Sequence, residues 1–167
     1  MKTFCSVLLL GLIIVFGCKD VAFEPEIVYS GITETREAGP EPIGVIDSGD
    51  WLEQFNYWSH SMDAAIMIPV SYKVSPAYPN PTKRFSTIRF TLPQTDSVVI
   101  VVDDKTLNKR TTVLSKFLTA GIHEVNLDLL YGNDSMKREE SIVRVFFEIP
   151  TLMNFPKVHG DIKILKQ

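Results

Sequence analysis

From Ala64 to the C-terminus, apolar and polar positions alternate with a period of two, the spacing at which successive side chains fall on opposite faces of a strand. Ile88, Phe90 and Leu92 lie on one face of Ser86–Leu92, and Val143, Val145, Phe147 and Ile149 on one face of Ser141–Ile149. His123, Val125, Leu127 and Leu129 alternate with Glu124, Asn126 and Asp128. The β-branched run Ser97–Val102 reads as a strand in the middle of a sandwich. Thr111–Leu118 and the terminal "GDIKILKQ" supply further strands, and "AAIMIPVSYKV" a first one, restricted to an edge by Pro69. Six or seven short strands at this spacing, with turn residues between them, predict an all-β, antiparallel β-sandwich domain over residues 64–167.

Before this domain the pattern changes twice. Over residues 51–63, Trp51, Leu52, Phe55, Trp58 and Met62 recur at helical spacing behind a capping box of Asp50 and Glu53, which predicts a short amphipathic helix. The helix would pack onto the domain. Alternatively, the aromatics Trp51, Tyr57 and Trp58 would form a platform for a ligand such as a sugar ring. Residues 18–50 mix prolines, glycines and acids without periodicity and read as a flexible tether, with short strands conceivable at Ile27–Tyr29 and Ile43–Ile46.

The first residues, "MKTFCSVLLLGLIIVFGCKD", set a basic flank before an apolar run of signal-peptide size, too short to cross a bilayer. The run ends in Val15, Phe16, Gly17 and Cys18, which resembles a bacterial lipobox. The resemblance implies a signal peptide over residues 1–17 and acylation of Cys18. Each buried methylene contributes about 0.8 kcal/mol, so two or three chains anchor stably where one does not. Only Cys5 and Cys18 occur in the chain, and Cys5 leaves with the signal, so the mature chain forms no internal disulfide. Removing residues 1–17 takes one lysine and no acid, so the net charge moves from −3 to −4, which gives no support to a nucleic-acid partner.

"YPNPTKRFSTIRFTLP" carries the most specific motif. Tyr78, Pro79, Asn80 and Pro81, followed by the strand Thr87–Pro93, resemble the start of the C-terminal sorting domains of the type IX secretion system, related to the Ig-like domain of the flagellar hook-capping protein. "TAGIHEVNLD" resembles a later segment of that family through Ala120, Gly121, His123, Val125 and Asp128, with Leu127 in place of a tryptophan. The similarity implies an Ig-like fold, in which Asn108 takes a left-handed hairpin position usually filled by glycine. Pro79 and Pro81 fix φ and keep Tyr78 and Asn80 out of the α region, giving a rigid corner with Tyr78 packed beneath it.

No catalytic constellation emerges. His123 lies in phase with an apolar face, and His159 precedes Gly160 in an expected turn. Asp103 and Asp104 read as a solvated hairpin rather than calcium ligands, and "DSMKREE" as an exposed loop. The expected function is therefore non-enzymatic, with no cofactor and no metal. The chain is expected to be a lipid-anchored envelope protein, at the outer membrane and toward the cell surface, with a binding or structural domain. The alternative is a surface-exported protein whose C-terminal domain is a sorting signal. Its partners would be the membrane, through the lipid, and envelope or secretion-machinery proteins.

Overall fold

A computed structural model describes residues 31–56 and 68–167, over 53–56 by backbone alone. The described residues form ten strands and no helix: β1 (Thr35–Arg36), β2 (Gly39–Pro42), β3 (Leu52–Asn56), β4 (Ser71–Val74), β5 (Phe85–Leu92), β6 (Asp96–Asp104), β7 (Lys109–Leu118), β8 (Gly121–Asp128), β9 (Ser141–Glu148) and β10 (Val158–Ile164). Two four-stranded sheets, β3-β4-β5-β8 and β10-β9-β6-β7, pack face to face, and β1-β2 forms a separate hairpin. Every pairing within the sheets is antiparallel. If β4 to β10 are equated with the A, B, C, C′, E, F and G strands of an Ig-like sandwich, this is the order A-B-E facing G-F-C-C′.

The core lies where the period-two pattern put it. Ile88, Phe90 and Leu92 from one sheet, and Ile100, Val143, Val145 and Phe147 from the other, are all buried. The Phe90 and Phe147 rings meet across the sheets with centroids 5.0 Å apart. Central β6 is buried at every second residue from Asp96 and continuously from Ile100 onward. Asn108 closes the β6–β7 hairpin at φ 47°, the left-handed position expected of it.

Several expectations are corrected. The helix expected over 51–63 is a strand in its described part. Leu52, Phe55 and Asn56 pair with Val74, Tyr72 and Ser71 of β4. Trp51, at φ 64°, is left-handed, which no right-handed helix start accommodates. Asp50 therefore caps no helix, and β3 is the eighth strand of the sandwich. Tyr57, Trp58 and Met62 lie outside the described residues, as do Cys18 and Ile27–Tyr29.

The tether expected over 18–50 is built structure from Thr33 on. Thr33 and Thr35 are buried, and β1 and β2 form at Thr35–Arg36 and Gly39–Pro42 rather than at Ile43–Ile46, where Ile43, Val45 and Ile46 are exposed. The module thus begins ahead of residue 64. Pro69 precedes β4 instead of interrupting it, and β4 lies between β3 and β5, not at an edge.

A further correction concerns charge. Asp103 and Asp104 are buried, not a solvated turn. Asp104 pairs with Arg138 at 2.8 Å and accepts a hydrogen bond from the Tyr131 hydroxyl at 3.1 Å. Arg138, read as part of an exposed loop, is likewise buried and also donates to the Leu129 carbonyl. A buried carboxylate demands such a partner, and here a distant loop folds back to supply it.

Candidate functional site

The outer edge of β10 is where the N-terminal segment and the Tyr-Pro-Asn-Pro corner meet. A sheet edge presents unpaired N–H and C=O groups, and those of β10 are met one after another. The Trp51 N–H donates to the His159 carbonyl at 2.6 Å. Asp50 Oδ2 accepts from the Asp161 N–H at 3.1 Å. Asn80 Nδ2 donates to the Asp161 carbonyl at 2.8 Å, and its Oδ1 accepts from the Lys163 N–H at 2.9 Å. Thr82 then takes over, bonding the Lys163 carbonyl and the Leu165 N–H through its own backbone.

Asn80 is the hub of this arrangement. It is fully buried, and its Nδ2 also donates to the Thr33 carbonyl at 3.0 Å, while the Thr35 N–H donates to the Asn80 carbonyl at 2.8 Å. One side chain thus joins the N-terminal segment, the corner and the last strand. The Tyr78–Pro79 and Asn80–Pro81 peptide bonds on either side of it are both cis. Tyr78 is buried as expected, and its hydroxyl donates to Glu124 at 2.9 Å beside Arg89. Burial, and then the bond to Glu124, raise the Tyr78 pKa above its ordinary value.

Beside the capped edge lies a cleft of about 600 Å³ whose walls include Pro40, Pro42, Asp47, Asp50, Trp51 and Lys73. Of the three aromatics singled out from the sequence, Trp51 is at this cleft. Its indole also covers Gly160, where a Cβ would pass into the ring. A side chain at residue 160 and the Trp51 indole are mutually exclusive. His159, on β10 rather than in a turn, is partly buried, and burial first, then Arg144, lower its pKa. His123 packs on Phe90 with ring centroids 5.4 Å apart and bonds the Thr119 carbonyl, which makes it a rim residue of the core.

Three carboxylates and one guanidinium organise the charge here. Asp161, fully buried, is held by Arg144 in a two-pronged pair, Nε to Oδ1 at 2.7 Å and Nη2 to Oδ2 at 2.6 Å. Asp50 stands next to it with Oδ1 buried and, among the described residues, without a hydrogen-bond partner. Burial, with Asp161 and Asp47 adding repulsion, pushes the Asp50 pKa from its ordinary 3.8 up to about 7, against the opposing effects of the Asp161 N–H and Arg144. Among the described residues no group of three His, Cys, Asp or Glu side chains comes together to hold a metal ion.

A neutral Asp50 favours the docked segment, so docking is strongest below about pH 4 and weakens as pH rises toward 7. Asp50→Asn keeps the shape and an acceptor but not the titration. Its denaturation midpoint is expected to gain on the wild type between pH 4 and 7; a constant difference over that range would contradict the buried, raised carboxyl.

No protein-family model matches the chain, and comparison with curated proteins and with solved structures returns no match.

The sequence pointed to the corner but assigned its rigidity to Pro79 and Pro81. The residue that ties the elements together is Asn80. Asp50, Arg144, Asp161 and Gly160 were not singled out for these contacts, because each acts on a partner far away in the chain. The one available signal was a small glycine in an otherwise strand-like "VHGDIKI", the mark of a close approach by another group.

Proposed function

We propose that this chain is a lipid-anchored cell-envelope protein, held in the membrane through Cys18, whose Ig-like sandwich is a binding or structural module. The observation that carries this reading is the end of the N-terminal apolar run in Val15, Phe16, Gly17 and Cys18, followed at once by Lys19 and Asp20. A covalent anchor needs only a stretch of chain between it and a folded module, and residues 19–32 separate Cys18 from Thr33. Lysine and acid directly after the cysteine resemble the surface-export signal of Bacteroidota lipoproteins. The module is therefore placed at the outer membrane, toward the outside.

The second reading, a type IX sorting domain cleaved from a surface-exported protein, draws on the Tyr78–Pro81 corner and the strand that follows it. The capped edge of β10 favours retention instead. Cleavage near Val70 would strip Asp50 and Trp51 from β10 and leave the Asp161 N–H and His159 carbonyl without those partners. Mass spectrometry separates the readings: an acylated Cys18 with an intact Gln167 terminus supports the first, and loss of the chain after about residue 70 the second.

Cys18→Ala is expected to release the protein from the membrane fraction. A variant that still sediments with membranes and resists carbonate extraction would exclude the lipid anchor.

A further inference from the structure

The two edges of the β10-β9-β6-β7 sheet are treated oppositely. The β10 edge is closed by Trp51, Asp50, Asn80 and Thr82. At the other end, β7 runs for ten residues and pairs with β6 alone among the described residues. We propose that β7 is a strand-addition site for an extended acidic segment of a partner protein.

The charge of the strand selects the partner. In a chain of net charge −3, β7 carries Lys109, Arg110 and Lys116 and no acid. Lys116 stands opposite Val98, which is fully buried, so it lies on the core-facing side of the sheet at its rim. It has no ion-pair partner among the described residues. On the other face, Phe117 is 70% exposed, and Val113 sits at the break in register between Ile100 and Val101.

An inward-pointing lysine and a bulge on an edge strand oppose indiscriminate pairing. A second copy of β7 is disfavoured in particular. In self-pairing the only charged side chains on either strand are cations, with no acid to offset them in any register. A strand with carboxylates at alternate positions instead meets Lys109 and Lys116 on one face and lays apolar side chains beside Phe117 on the other. Backbone hydrogen bonds would give such a complex its affinity, and the lysines its specificity.

The test uses the full chain in detergent micelles, amide NMR, and a synthetic heptapeptide alternating glutamate and valine. The expected result is a set of shifts confined to Lys109–Leu118, binding that weakens with salt, and no binding of the matching lysine–valine peptide. Lys116→Glu, at an exposed position, should weaken the acidic peptide about tenfold. N-methylation along one edge of the peptide should abolish binding. Shifts elsewhere or none, equal binding of both peptides, or undiminished binding of the N-methylated form would each overturn the proposal. So would a dimer seen by sedimentation without peptide and broken by Lys116→Glu, since that would assign the edge to self-association.

Discussion

Replacing Arg144 with alanine is expected to destabilise the protein by about 3–5 kcal/mol, the usual cost of stranding one partner of a buried ion pair. Asp161 is fully buried, and Arg144 holds both of its oxygens at 2.7 and 2.6 Å. Without the guanidinium, a carboxylate would remain in a dry site beside a further acid, Asp50. The cost comes from the orphaned charge more than from the lost attraction. The double variant Arg144→Met with Asp161→Asn, which removes both charges and keeps much of the volume, should therefore recover most of the loss. Urea denaturation of the three proteins checks this. A single variant as stable as the wild type, or a double variant worse than the single one, would contradict the assignment.

Phe90→Ala is expected to cost a similar amount, about 3–5 kcal/mol, for a different reason. Phe90 is fully buried at the middle of β5, with the Phe147 ring 5.0 Å away in the facing sheet and the His123 ring 5.4 Å away on its own. Truncation removes transfer free energy and leaves a cavity that two sheets, fixed by their ladders, cannot close. Phe85→Ala on the same strand provides the control, since Phe85 is 48% exposed. Its change should stay small. An unchanged denaturation midpoint for Phe90→Ala would mean that the phase of the strand is misassigned.

These two positions differ in how readable they were. The burial of Phe90 follows from local alternation, and the same holds for Ile88, Val143 and Val145, because a strand with one buried face writes its phase into its own residues. The Arg144–Asp161 pair has no local signature. An arginine in "VRVFFEI" reads as an outward polar position until the N-terminal segment covers that end of the sheet.

The segment 33–52 was hard to read for the same reason. β1 and β2 are short and contain Gly39, Pro40 and Pro42; β1 is held by Asn80, and β2 by β1, rather than by any apolar stripe. The helical recurrence of Trp51, Leu52, Phe55, Trp58 and Met62 misled because β3 has an irregular register between Leu52 and Phe55, which hides the period of two that marks a strand. The left-handed Trp51, fixed by Gly160 and the His159 carbonyl, decides for the strand. At Asp103 and Asp104 the adjacency of two acids suggested solvent, whereas the buried Arg138 comes from beyond β8.

The central structural claim is that residues 33–52 and the Asn80 corner close the β10 edge and belong to the module. Native-state hydrogen exchange of the Asp161, Lys163 and Leu165 amides tests it most directly, since their partners are Asp50, Asn80 and Thr82. These amides are expected to exchange as slowly as those between β6 and β9, with Asp161 and Lys163 accelerated in Asn80→Ala. Exchange at the rate of an open edge in the wild-type protein would contradict the account.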